Sequence, residues 1–183
     1  MDAQMMFFRD HGGPVGPRSV AERIWLWRRM RWVARDIAKD GWTVVPFQLS
    51  HDAAPRFFYT VGFSESLGQP EMIVCDTPFE QAAAEFNTAF EGLRSGELTL
   101  SDGQVWSEQG AVRCILRRVH PSQITSWLGL AAERHRRMKG DAATLAAFQL
   151  VLPDKAGFLP WEPGYSEEAR TWQPALYEPR GRA

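Results

Sequence analysis

Pro55-Arg56-Phe57-Phe58-Tyr59-Thr60-Val61-Gly62-Phe63, running on through Gly68-Gln69-Pro70-Glu71 to Met72-Ile73-Val74, is the stretch on which the reading of this chain turns. Arg56 to Phe63 and Glu71 to Cys75 are short apolar runs on either side of a Ser64–Pro70 turn, which reads as strand, turn, strand. A second block has the same grammar: Phe148-Gln149-Leu150-Val151-Leu152-Pro153-Asp154, then Gly157-Phe158-Leu159-Pro160-Trp161. Each block joins a strand-like run to Gly, Pro and aromatic residues, so the backbone there is tightly specified.

Upstream, Ser19 and Glu22 form a capping-box pattern that opens a helix running to about Asp40, with Gly41 as its stop. Leu26, Met30, Val33 and Ile37 share one stripe and should face a core, while Arg28, Arg31 and Arg35 share the opposite face. Tryptophans at helical spacing usually pack inside, so Trp25, Trp27 and Trp32 are expected to grip their own domain rather than a partner. Residues 1–18 read as a mobile lead-in and residues 19–183 as one domain.

Trp42 to Leu49 reads as a strand broken or edged by Pro46, and His51 to Pro55 as a loop. Thr77, Pro78 and Glu80 start a second helix whose buried face is Phe79, Ala83, Phe86, Phe90 and Leu93, with Gly96 ending it. Leu98–Leu100 and Val105–Ser107 flank Ser101-Asp102-Gly103 as a hairpin, and Ala111 to Val119 is a further strand. Pro121-Ser122 opens a third helix carrying Ile124, Trp127, Leu128, Ala131, His135 and Met138 near one face. Three main helices interleaved irregularly with about six strands predict an α+β domain with a mostly antiparallel sheet. No GxxxxGK[ST] or GxGxxG loop occurs, which excludes nucleotide binding by those routes.

Together the two blocks resemble a bacterial family known as domain of unknown function 4262, over roughly residues 41 to 175. The resemblance implies a fold and no particular reaction. A histidine is common in that family just before the Pro-Glu pair, where this chain has Gln69. Glutamine hydrogen-bonds but cannot shuttle protons near neutrality, so any chemistry resting on that histidine is lost here. A tryptophan is common before Pro-Asp, where this chain has Leu152, a change that concerns packing.

Composition is that of an ordinary soluble protein, with 44% apolar and 23% charged residues. No apolar run approaches a membrane span, and Met5-Met6-Phe7-Phe8 is too short for a secretory core, so a cytoplasmic location is expected. Cys75 and Cys114 sit in strand-like runs without ligand spacing; buried thiols are expected, with no metal and no cofactor. The net charge of −1 conceals segregation: residues 41–112 carry two basic and ten acidic side chains, residues 113–139 seven basic and one acidic. Such a near-neutral total disfavours nucleic acid as a general partner.

Three functional readings stay open. The favoured one is a binding or interaction module for a protein partner or a small molecule. Its candidate ligand-binding residues are Tyr59, Thr60, Gly62, Gln69 and Trp161, on a surface that includes the His51 loop. Gly62 within a strand signals a bulge or a close approach by backbone or ligand, and Trp161 belongs to an aromatic segment that either docks on the sheet or lids a pocket. The second reading is a small hydrolase-type enzyme, with His51 as general base and Glu65 or Glu71 as acid. The third is an anion or nucleic-acid binder using Arg117, Arg118, Arg134, Arg136 and Arg137. Since both blocks belong to one core, limited proteolysis should trim residues 1–18 and leave the remainder intact. An early cut between residues 75 and 145 that yields two stable halves would contradict the single-domain expectation.

Overall fold

The computed structural model describes residues 19–48, 56–109 and 112–180. His51, and with it the His51 loop, lies outside the described residues. A six-stranded sheet forms the middle layer. Its strands are β1 (Thr43–Gln48), β2 (Arg56–Val61), β3 (Glu71–Cys75), β4 (Val105–Gln109), β5 (Val112–Arg118) and β6 (Ala147–Val151). They lie in the order β1-β2-β3-β6-β5-β4, and every pairing is antiparallel except the central β3–β6 pair. The domain is therefore α+β with a mostly antiparallel sheet.

Two antiparallel meanders thus meet at one parallel seam. β3 and β6 are buried at every position, which explains why their sequences read as near-continuous apolar runs instead of alternating. β1 is an edge strand, the place in a sheet where a proline such as the exposed Pro46 is tolerated.

Six helices cover the two faces: α1 (Val20–Asp40), α2 (Phe63–Ser66), α3 (Phe79–Ser95), α4 (Pro121–Trp127), α5 (Gly129–Lys139) and α6 (Glu167–Trp172). α3 lays Ala82, Phe86, Ala89, Phe90 and Leu93 on Phe58, Met72, Val74, Leu116, Phe148 and Leu150. On the other face, α1, α4 and α5 bury Leu26, Met30, Val33, Ile37, Ile124 and Leu128 against Phe57, Tyr59, Val61, Ile73 and Ala147. The α1 stripe predicted from spacing is the buried one.

Four details differ from the sequence reading. Leu98 and Leu100 form no strand; they pack on the α3 core, while the Ser101–Gln104 turn leads directly into β4. The α3 cap is Pro78 rather than Thr77, and Phe79 is exposed while Ala82 and Ala89 are buried. The helix expected over Pro121–Met138 breaks at Leu128, whose φ of −117° and ψ of 45° end α4 and begin α5. Such a break frees the first-turn N–H groups of α5, and the Tyr59 hydroxyl accepts from Leu130 N at 3.3 Å. The rotation also turns Met138 out to solvent.

The C-terminal segment completes the second face beyond α4. Of the two readings of the aromatic segment it follows the docked one, though not through Trp161, which is 44% exposed. The buried anchor is Leu159, 1% exposed, against Ile115 and Val151. Two glutamines hold the rest: Gln149 donates to Pro174 O and accepts from Leu176 N, and Gln173 does the same with the carbonyl and N–H of Leu152. Leu159→Ala should therefore cost about 2–5 kcal/mol of unfolding free energy. Trp161→Ala should cost only about 1 kcal/mol, mostly its ring contacts. Denaturant unfolding of the two variants checks this, and the reverse order would return the anchor role to Trp161.

Candidate functional site

Glu71 opens β3 and is buried, yet no cation among the described residues pairs with it. Its carboxylate collects hydrogen-bond donors instead. Oε2 accepts from Thr60 Oγ1 at 2.6 Å and Phe63 N at 3.3 Å; Oε1 accepts from Gly62 N and Ser64 N, both at 3.1 Å, and from Ser64 Oγ at 3.0 Å. Thr60 Oγ1 in turn accepts from Met72 N, which leaves its single proton for Glu71. Burial pushes the carboxyl above the usual carboxylate range, while the donors of Thr60, Ser64 and Gly62 pull it back. The arrangement is a backbone nest at the start of α2, and the chain's own glutamate fills it.

Gly62 is the hinge of that nest. Its φ is 125°, and a Cβ there would stand 2.7 Å from Gly41 O and 2.8 Å from Trp42 Cα. The close approach expected at this glycine comes from backbone, at the end of α1. Next in the turn, Glu65 receives both Arg134 Nε at 2.5 Å and Arg134 Nη2 at 2.8 Å, a bidentate clamp between α2 and α5. Tyr59 is buried under α5, and its hydroxyl is pushed far above its ordinary value by desolvation. Thr60 points to the other sheet face, as strand alternation requires. Gln69 is half-buried, its N–H donating to Phe63 O.

So Tyr59, Thr60, Gly62, Glu65, Gln69, Glu71 and Arg134 do gather at one end of the sheet. Trp161 lies elsewhere. Its ring and that of Tyr177 meet edge to face, with the Arg117 guanidinium 5.1 Å and 4.5 Å from the two centroids and also bonded to Asp102. Arg136 and Arg137 both grip Glu133, and Arg118 is exposed, its N–H donating to Asp102. Four of the five candidate anion-binding arginines are thus matched with a carboxylate of their own chain.

The two described histidines, His120 and His135, have local duties. His120 caps α4 by accepting from Ser122 N at 3.2 Å. His135 meets Thr144 Oγ1 at 2.8 Å, and burial and Lys139 hold its pKa below the ordinary value. Among the described residues no three of His, Cys, Asp and Glu gather as a metal-binding group, and no helix is long and apolar enough to cross a membrane. An open groove of about 530 Å³ beside α1 and α3 is lined by Trp42, Asn87, Lys39, Asp40, Glu91 and Arg94. Its charges pair off as Lys39–Asp40 and Arg94–Glu91.

What sequence reasoning placed inside is partly outside. Val20, Ile24 and Trp27 are 71%, 49% and 54% exposed and follow one another along α1 at i, i+4 and i+7. Trp25 and Trp32, by contrast, pack at the core margin with Arg29 over both rings, 5.7 Å and 5.6 Å from the centroids. The signal was in the helical wheel: Trp27 lies well away from the Leu26–Ile37 stripe, on the arginine side.

These features define a three-layer α+β domain whose two motif blocks build the sheet seam and the Glu71 nest. A family model described as domain of unknown function (DUF4262) matches residues 36–166, well over half of the chain, and the chain belongs to that family. No curated protein and no solved structure matches it. Val20, Ile24 and Trp27 precede the matched span.

The nest yields a direct test. Glu71→Gln keeps the shape but turns an NH₂ toward fixed N–H donors, so it should cost about 2–4 kcal/mol despite removing a buried charge. Thr60→Val, which strands Met72 N, should cost about 1–3 kcal/mol. Chemical denaturation measures both. A neutral Glu71→Gln would show that the nest does not require a carboxylate.

Proposed function

We propose that the chain is a single-domain binding module of the cytoplasm that recognises a protein partner through the outer face of α1. The observation that carries this reading is the exposed Val20–Ile24–Trp27 row, set among Arg23, Arg28 and Arg31. Monomeric proteins expose single apolar residues routinely, but an aligned row ending in tryptophan is the composition of an interface centre. Cys75 and Cys114, buried and without a disulfide, suit a reducing compartment.

The enzymatic alternative has less support. Glu71 is sealed among internal donors and Glu65 is clamped by Arg134, so both carboxyls are already engaged within the domain. The anion-binding alternative is weakened by the pairing of Arg117, Arg134, Arg136 and Arg137. Because the proposed surface precedes the matched span, the reading concerns this chain and not the family at large.

Photo-crosslinking in the producing cells tests it, with p-benzoylphenylalanine at position 27 and, as control, at the exposed Lys155. A discrete protein adduct from position 27 that position 155 does not give is the expected outcome. The same adducts from both positions, or none from position 27, would remove this surface as the binding site.

A further inference from the structure

We infer that the partner element is an acidic amphipathic helix, its apolar side along Val20, Ile24 and Trp27 and its carboxylates against the flanking arginines. This rests on the binding reading above and names the chemistry of the partner. The row spans two turns of α1, roughly 10 Å, a length that a second helix covers with side chains at the same spacing. At about 100° per residue, Arg28 and Arg35 fall on one side of the row, Arg23 on the other, and Arg31 continues it.

Charge complementarity selects the occupant. Among the described residues, no carboxylate pairs with Arg23, Arg28 or Arg31. Two of the helix's acids are engaged near its C-terminal end: Asp36 accepts from Thr43 Oγ1 and pairs with Arg35, and Asp40 pairs with Lys39. Arg31 stacks 4.8 Å from the Trp27 centroid, so apolar and cationic surface are continuous. A second copy of this chain is the wrong occupant, because a two-fold contact would set these arginines against themselves. Polyanions fit less well too. The chain is net −1, and residues 41–112 hold ten acidic against two basic side chains, which repels an anionic bilayer or a nucleic acid at long range. Phosphate contacts also give Val20 and Ile24 nothing to bury against. Carboxylates flanking an apolar stripe answer both features.

The test uses the full chain and fluorescence anisotropy of labelled probes: a synthetic leucine–glutamate amphipathic helix, its leucine–lysine counterpart, and a mixed-sequence DNA duplex. Vesicles of phosphatidylserine and phosphatidylcholine complete the set by co-sedimentation. Binding of the glutamate peptide alone is expected, weakening with added salt and falling about tenfold in Trp27→Ala. The double change Arg28→Glu, Arg31→Glu should abolish it and transfer binding to the lysine peptide. Circular dichroism confirms that both variants fold, as exposed positions allow. Equal binding of both peptides, tighter binding of duplex or vesicles, or no peptide binding would each overturn the inference. The last includes the case in which residues 5–8 of the chain itself occupy the row. A crosslink from position 27 in cells together with an unbound glutamate peptide would sink the acidic helix and leave the binding module standing. Absence of the crosslink would remove the module itself.

Discussion

A carboxylate buried without a counter-ion is the constraint around which this fold is arranged. Removing Glu71 from water costs several kcal/mol, roughly, unless donors replace the lost hydration. Here they are mostly backbone N–H groups, whose directions are set by the path of the chain. Three successive amides, from Gly62 to Ser64, must all point inward at one place. That demand explains the φ of 125° at Gly62, the four-residue turn of helix after it, and the serine at position 64, which adds its hydroxyl. It also fixes how closely α1 ends against β2, because Gly41 and Trp42 fill the space where a side chain at position 62 would stand. From this turn the order spreads outward. Glu65 is delivered to Arg134, α5 is held over β2, and Tyr59 caps the helix start that the break at Leu128 leaves open.

The far side of the sheet solves a different problem with similar means. α1, α4 and α5 leave part of β5 and β6 uncovered, and the chain closes it with an irregular segment that has no ladder of its own. Irregular backbone over a core must still satisfy its polar groups. Gln149 and Gln173 do this, each side chain acting as donor and acceptor toward the same neighbouring stretch of backbone, as a strand would. Asp154 closes the preceding turn by accepting from Ala156, Phe158 and Ser166 N–H groups, and those contacts lower its pKa against the cost of burial.

How much of this was legible follows from the range of each interaction. Apolar spacing is local, and it marked the buried stripe of α1, the positions of all six strands together with a false seventh at Leu98–Leu100, and the stop at Gly41. The close approach at Gly62 was legible because a glycine inside a strand pattern has few explanations. Its partner was not, since Gly41 and Trp42 are twenty residues away in sequence. Glu65, Glu71 and Arg134 stood out as charged residues near motifs. Nothing local reveals that Glu71 is sealed by main-chain donors or that Glu65 and Arg134 belong to each other. The break at Leu128 was hidden because a helix-compatible pattern continues across it; what ends α4 is the tertiary fit of Leu128 and the waiting Tyr59 hydroxyl. His51, singled out as a base, lies outside the described residues, so the structure adds nothing about it.

The tryptophans of α1 carry the functional argument because they are a matched comparison within one helix. Trp25, Trp27 and Trp32 share composition, neighbours and an arginine against the ring. Two of them bracket Arg29 at the core margin, where the guanidinium lies close enough to Tyr59 to favour its ionised form slightly. That set is used up in joining α1 to the sheet. Trp27 and Arg31 form the same stacked unit, rotated to the face where Val20 and Ile24 also stand, with nothing of the described chain over it. Stacking there leaves Trp27 54% exposed, whereas Trp25 and Trp32 pack on the core. Among the described residues, no carboxylate pairs with Arg23, Arg28 or Arg31 on this face. An apolar and cationic surface that the described residues leave open is complemented by a partner that brings both apolar side chains and negative charge.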